Sequence, residues 1–289
     1  MSAAAPITDA EMAHWRGWIG RTEQRNDRVH AAALNALAAT LDREEPDARD
    51  GDEAPPLAHW LLFAPLAKQS QLGPDGHPLR GGFLPPIGLP RRMWAGGRLE
   101  FRLPLRVGDE VARRSRIAHV EVKHGRSGAL AFVTVNHEII CPRGPAIAEE
   151  HDIVYRAAPQ PGVAPPTPQP ARTDEAFSRA IVPDPVLLFR YSALTFNGHR
   201  IHYDRSYATE VEGYPGLIVH GPLIATLLMD LLRRQEPRAV VRRFEFTAVR
   251  PLFDFHPVTA CGRREGGDVQ LWARDHEGFL AMRASAQLA

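Results

Sequence analysis

An amide and an imidazole stand five residues apart in the stretch Leu194-Thr195-Phe196-Asn197-Gly198-His199-Arg200-Ile201-His202-Tyr203-Asp204. A histidine with its ordinary pKa of about 6.5 can take or give a proton near neutral pH, whereas the Asn197 amide can only donate and accept hydrogen bonds. Nineteen residues after His202 comes Gly221, in Val219-His220-Gly221-Pro222-Leu223. Proline suits the first position of a helix, where its missing N–H would be unpaired anyway. Gly221 is therefore predicted at the positive end of a helix dipole, with its N–H free for an incoming oxygen. A base beside an oxyanion site predicts chemistry next to a carbonyl group.

Several elements must position these groups. The apolar run Leu223 to Leu232, interrupted by Asp230, reads as a core helix and is far too short to cross a bilayer. A short helix is expected within residues 9–20 around Trp15 and Trp18. The alanine-rich run Val29 to Leu41 has helical spacing and high helix propensity, and its small residues suggest burial all round. Glu44 to Pro56 and Gln71 to Pro90 read as long surface loops, and loops of that length in a compact domain tend to be functional. From Arg98 the pattern turns to strands: Leu99-Glu100-Phe101-Arg102, then Val111 to Val122 and Ala129 to Ile140 joined near Gly125, an antiparallel meander. Six prolines between Pro159 and Pro170 can neither continue a helix nor pair in a sheet centre, so a linker is placed there.

Beyond the linker the pattern returns. Phe244-Glu245-Phe246 answers Leu99-Glu100-Phe101, and Val249-Arg250-Pro251-Leu252 answers Leu103-Pro104-Leu105. Laying Val29–Asp42 over Phe189–His202 sets Leu37 opposite Asn197 and Asp42 opposite His202, so the first copy lacks the imidazole. Each half is expected to be a long helix followed by an antiparallel sheet that wraps it, an α+β fold. Residues 1–158 would be non-catalytic support, 159–172 the linker, and 173–289 the half that carries the chemistry.

The 289 residues are 44% hydrophobic, enough for a sizeable core. Lys and Arg number 35 against 34 Asp and Glu, a formal charge of +1, so no overall field points to nucleic acid or membrane. Any anionic ligand must be met by local arginines. Cys141 and Cys261 are the only cysteines and lack metal-ligand spacing, which fits a reducing compartment. The amino terminus has no secretory pattern, and the expected location is cytoplasmic. No dinucleotide fingerprint, P-loop or nucleophile elbow is present.

The spacing of Asn197, His202 and Gly221 resembles the hydratase motif of the hotdog-fold, MaoC-like enoyl-CoA hydratases. Together with Gly81-Gly82-Phe83-Leu84-Pro85-Pro86 and Pro90-Arg91-Arg92-Met93-Trp94-Ala95-Gly96-Gly97, the motif region resembles the double-hotdog group. That group includes mesaconyl-C4-CoA and itaconyl-CoA hydratases and type 2 hydroxyacyl-thioester dehydratases. The resemblance implies a double hotdog and a hydro-lyase acting on an α,β-unsaturated acyl-CoA, with no separate cofactor because coenzyme A is part of the substrate. A short branched dicarboxylic acyl group such as mesaconyl or itaconyl follows from the same resemblance. It implies catalytic roles for Asn197, His202 and Gly221. One departure matters: the wider family carries an acid where this chain has Asn197, which throws the proton transfer onto His202.

Substrate contacts are expected from Arg200, Tyr214, His220 and Phe196. The Arg91-Arg92 pair and the Arg113-Arg114-Ser115-Arg116 run are candidates for coenzyme A phosphates, since guanidinium matches phosphate geometry, although arginines on outer strand faces are usually just solvated. His199, His202 and His220 could be imagined as a metal cluster, but no carboxylate or cysteine completes them at a recognisable spacing, so no metal is expected. A hotdog thioesterase would want a carboxylate at the Asn197 position, and a non-catalytic acyl-binding module would need none. A double unit can satisfy within one chain the pairing that single units obtain by dimerising, so a monomer or homodimer is expected.

Overall fold

A computed structural model describes residues 7–125, 128–157 and 167–289 of the chain. Helix α1 (Asp9–Arg16) opens with a capping box between Thr8 and Glu11 and buries Trp15 against Ile117, Val133 and Tyr155. Strand β1 (Thr22–Arg28) and helix α2 (Ala31–Thr40) follow, then a long excursion before β2 (Arg91–Phe101), β3 (Glu110–Gly125), β4 (Gly128–Cys141) and β5 (Gly144–Arg156). The second half runs β6 (Phe177–Ile181), α3 (Pro185–Leu194), α4 (Gly221–Gln235), β7 (Val241–Ala248), β8 (Val258–Glu265), β9 (Asp268–Arg274) and β10 (Leu280–Leu288).

All strands join one ten-stranded sheet in the order β1-β3-β4-β5-β2-β7-β10-β9-β8-β6, antiparallel throughout. Read outward from the centre, the two halves have the same strand order, which is the repeat expected from the sequence. They meet where β2 pairs with β7, with Gly96 opposite Thr247 and Leu99 opposite Phe244. A Cβ on Gly96 would lie 2.7 Å from the Phe246 carbonyl oxygen, and one on Gly97 would lie 2.9 Å from the Phe246 ring. The seam closes because neither residue has a side chain.

The helix ends give the true alignment of the halves. Both α2 and α3 are ten residues long, and each is followed, two residues on, by a left-handed residue: Asp42 (φ 54°) and Phe196 (φ 50°). The next N–H closes the turn in each case, Arg43 onto the Ala38 oxygen at 2.9 Å and Asn197 onto the Ser192 oxygen at 2.8 Å. Asp42 therefore corresponds to Phe196, and Arg43 to Asn197. The overlay that set Asp42 against His202 slipped because alanine-rich periodicity does not mark where a helix stops.

The core gathers on α4, where every residue from Leu223 through Leu232 is buried. Leu188, Tyr191, Phe244 and Met282 pack around it. Between α2 and β2 the described residues form only two 3-10 turns, Ala58–Leu61 and Gln69–Gln71, so the first half has no counterpart to the long α4. Nor is α2 buried all round; it buries Leu34, Leu37 and Thr40. Most of the expected linker, 158–166, lies outside the described residues. The end of it is not free: Pro170 bridges Phe279, and the Ala171 N–H donates to the Gly278 oxygen at 3.0 Å.

Asp230, 1% exposed at its side chain, lies within α4 and accepts from Arg43 Nη1 (2.6 Å), Arg179 Nη1 (3.0 Å) and Arg234 Nε (2.7 Å). Arg43 follows α2 and Arg179 is on β6, so one carboxylate ties the central helix to both halves. Asp230→Ala is expected to lower unfolding free energy by about 3–5 kcal/mol, because three guanidinium groups lose their shared counter-charge. A urea titration would show this as a fall in midpoint at constant slope, and an unchanged midpoint would remove the role given to Asp230.

Candidate active site

Asp184 caps α3 by accepting from the Leu187 N–H at 2.8 Å, with Pro185 in the first turn. After α3 ends at the left-handed Phe196, the Asn197 side-chain oxygen accepts from the His199 N–H at 3.0 Å, a local turn that fixes the amide. Among the described residues the Asn197 side-chain NH2 has no acceptor and is left as a donor. A single 3-10 turn, Arg200–His202, then delivers the imidazole. His202 Nδ1 stands 2.7 Å from the Ile218 carbonyl oxygen. A carbonyl can only accept, so Nδ1 carries the proton and Nε2 keeps the lone pair when the ring is neutral.

The His202 ring stacks on His220 with centroids 3.6 Å apart and planes 19° from parallel. His220 is in turn held by Ser192 Oγ, 2.8 Å from its Nε2. Since Gly221 follows His220 and opens α4, His202 and the predicted oxyanion donor are neighbours in space. No described residue accepts a hydrogen bond from the Gly221 N–H. Asn197, Phe196, Arg200 and Pro222 line a cavity of about 780 Å³. His202 and Gly221 line no described cavity themselves; the His202 ring lies between His199 and His220, and Gly221 precedes the cavity-lining Pro222. His202 is buried, but among the described residues its Nε2 meets no partner, and the atom is not fully enclosed.

The first half supplies the facing wall. His77, Arg92, Trp60 and Trp94 line the same cavity. The loop that carries His77 is pressed onto the hydratase motif: the Arg200 N–H donates to the Asp75 carbonyl at 2.9 Å, and a Cβ on Gly76 would lie 1.9 Å from the Gly198 oxygen. His77 bonds the Asp75 carboxylate at 3.2 Å, and its ring lies 4.0 Å from that of His199. These residues fall in the long Gly- and Pro-rich loop singled out by its length, but nothing in the sequence paired them with the motif. The fold also brings Asp75, His77 and His199 within 4.8 Å of one another at their ligand atoms, so a carboxylate does complete a histidine cluster, from the other half. A cation there would have to replace the existing bond between Asp75 and His77.

Two expected substrate contacts are placed elsewhere. Tyr214 packs under Arg91, 4.4 Å from the guanidinium carbon to the ring centre, and lines no described cavity. His220 is sealed in, 1% exposed, and supports His202 from behind. Arg200 reaches the cavity wall, but its guanidinium is committed to Asp204 at 2.7 Å and the Pro74 oxygen at 3.0 Å. Phe196 stands at the rim, more than half exposed. Proximity in sequence to the motif was a poor guide because a helix end, a 3-10 turn and a π-turn over Tyr207–Val211 send successive side chains in different directions.

Burial dominates the electrostatics. It pushes His202 down to about 4, although the bond to Ile218 partly opposes the shift. Burial likewise lowers His77, His199 and His220, with the neighbouring imidazoles adding to the effect on the latter two. The Asp75 carboxyl is held well below the usual range; burial opposes this, but the bonds from His77 outweigh it. At neutral pH the site therefore presents uncharged imidazoles beside an ionised carboxylate.

The continuous sheet and its strand order define a double hotdog, and the comparisons agree. A solved MaoC-like dehydratase superposes with a TM-score of 0.71 over 95% of this chain and 99% of that one, at 15% identity. A conserved hypothetical protein of Mycobacterium tuberculosis, described as having a double hotdog fold, matches with a TM-score of 0.57 over 94% and 96% of the two chains, at 14% identity. The family model for hydroxyacyl-thioester dehydratase type 2 matches residues 57–254. The mesaconyl-C(4)-CoA hydratase of Chloroflexus aurantiacus is 49% identical over 96% of this chain and 98% of its own. The chain belongs to the hydroxyacyl-thioester dehydratase type 2 family. It is a hydro-lyase, an enzyme that adds water to an acyl-CoA or removes it.

Two outcomes test this geometry. Gly76→Ala puts a methyl group onto the Gly198 oxygen at a positive φ of 86°, so it should cost about 1–3 kcal/mol and lower kcat through the displaced motif; wild-type melting and turnover together would refute the contact. His202 (about 4), His137 (about 4) and His151 (about 3) all have folded pKa values below the ordinary 6.5. The folded protein then binds fewer protons than the unfolded chain, so stability is full above pH 6.5 and falls as pH drops toward 4. Urea midpoints that stay level from pH 7.5 to 5 would contradict it.

Proposed function

We propose that the chain hydrates a short, branched, dicarboxylic enoyl-CoA of the mesaconyl or itaconyl kind, with His202 as base, Asn197 as water holder and Gly221 as oxyanion donor. The observation that carries the residue assignment is the bond from His202 Nδ1 to the Ile218 carbonyl, which leaves the Nε2 lone pair as the ring's open position. Water held by the Asn197 NH2 attacks the β-carbon and its proton passes to His202 Nε2. Electron density moves to the thioester oxygen, where the Gly221 N–H and the first turn of α4 stabilise it. The imidazolium then returns the proton to the α-carbon, so one water is added and the ring is neutral again. Dehydration is the reverse. Burial keeps the His202 ring neutral at neutral pH, so that its Nε2 lone pair is present at the start of the cycle.

The similarity to a mesaconyl-C(4)-CoA hydratase supports the dicarboxylic reading. No cofactor is required, since coenzyme A arrives with the substrate. Two free, buried thiols, Cys141 and Cys261, support a cytoplasmic location. Among the described residues no helix is long and apolar enough to cross a membrane. Pairing of β2 with β7 inside one chain supports a monomer or homodimer.

Loss of enoyl-thioester absorbance on incubation with mesaconyl-C4-CoA is the expected result for the purified protein. His202→Ala should lower kcat about 10²- to 10⁴-fold with little change in KM. Release of free thiol without hydration would make the substrate chemistry that of a thioesterase, and near-normal hydration by the variant would remove His202 from the reaction.

A further inference from the structure

We propose that Arg92 is the residue that selects a carboxylate on the acyl group, a role that rests on the hydratase reading above and deepens it. Arg92 lines each of three cavities that meet beside the motif, of about 580, 780 and 520 Å³. It occupies the junction through which an acyl group entering past Asn197 and Pro222 reaches the first half.

Among the described residues Arg92 has no carboxylate or carbonyl partner, which sets it apart from the other guanidinium groups around these cavities. Arg80 donates to the carbonyls of Ile87, Leu89 and Pro90. Arg91 bonds the Glu212 carbonyl and lies 3.5 Å from its carboxylate. Arg113 is 3.8 Å from Glu23 and Arg200 is paired with Asp204. The cavity acids are equally committed, Asp75 to His77, Glu149 to His59 and Trp60, and Glu212 to Arg91. Arg92 is left as the guanidinium of this wall whose donors meet no carboxylate or carbonyl, only the neighbouring Tyr155 hydroxyl, and guanidinium is the group suited to bidentate binding of a carboxylate.

Its position fits the distances of the reaction. The Trp94 carbonyl lies 3.5 Å from where a Cβ on Gly221 would be, so β2 runs directly past the oxyanion donor. Arg92 and Trp94 alternate with Met93 and share one face of β2, about 7 Å apart along the strand. Trp94 lines the same cavity. A thioester oxygen at Gly221 thus places the far end of a four-carbon acyl group within reach of the Arg92 side chain. For an acyl group whose carboxylate sits on the β-carbon, this charge also offsets the repulsion between that carboxylate and the incoming water oxygen.

The test compares Arg92→Gln and Arg92→Lys with the unsubstituted protein on mesaconyl-C4 thioesters and on the analogue with methyl in place of the carboxylate. Each acyl group is presented both on coenzyme A and on N-acetylcysteamine, which has no phosphates. The ratio of kcat/KM for carboxylated over neutral substrate should fall about 10²-fold in Arg92→Gln on both carriers, with partial recovery in Arg92→Lys. A ratio that stays constant while activity falls only with coenzyme A would assign Arg92 to a phosphate and overturn the proposal; so would an unsubstituted enzyme that favours the neutral substrate. Hydration of neither thioester would remove the hydratase reading instead. In that case calorimetric binding of succinyl-CoA against butyryl-CoA still decides: a preference for succinyl-CoA lost in Arg92→Gln sustains the carboxylate site, and equal binding by both proteins ends it.

Discussion

Everything in this molecule is arranged around one helix that has no exposed side. An amphipathic helix can be covered by a single sheet face, but α4 buries every residue from Leu223 to Leu232, so the chain must enclose it. The second half does so with its sheet, β6, β8, β9 and β10 all packing on the helix, and β2 of the first half joins them. The N-terminal end carries the free N–H groups and the positive dipole, and it is there that His202, His220 and the cavity wall converge. The one charge in the buried run, Asp230, is met from three sides, which holds α2 and β6 to the helix.

The first half repeats the sheet without the helix. Beside its sheet lies a cavity of about 520 Å³, lined by Trp60, Trp94, Ile153 and Tyr155 together with His137, His151 and Arg92. This half also faces the motif. It supplies one wall of the site, and the loop at Asp75–His77 is locked to the motif by a backbone bond and by glycine against glycine. The cavity beside the motif is thus lined from both sides of the seam.

The polar groups of the site are close to one another and shielded from water, which decides their protonation. Stacked imidazoles cannot easily all be charged, and burial penalises the charge on each, so the column from His77 through His199 and His202 to His220 is neutral. With Asn197 in place of an acid, the proton-handling capacity of the wall rests on these rings and on Asp75, while the positive charge is confined to the arginines. That separation, neutral imidazoles on one side and cation on the other, is what the proposed attack of neutral water on an anionic acyl group calls for.

Local chemistry in the sequence was enough to determine several features. Proline after Gly221 marked the start of α4, alternation marked β3, β4 and the end of β2, and the return of Phe-Glu-Phe after the proline-rich segment showed two related halves. The spacing of Asn197, His202 and Gly221 named the three groups that lie around the start of α4. These are properties of neighbouring residues, set by backbone sterics, dipoles and periodicity. The absence of a long helix in the first half, the register of the two copies, the commitment of Arg200 to Asp204, and the placing of His77 and Arg92 in the cavity were decided only on folding. Each depends on which distant backbone comes within a few ångströms, and the pairing of β2 with β7 makes that choice between residues about 150 positions apart, where one sequence carries no periodic signal to read.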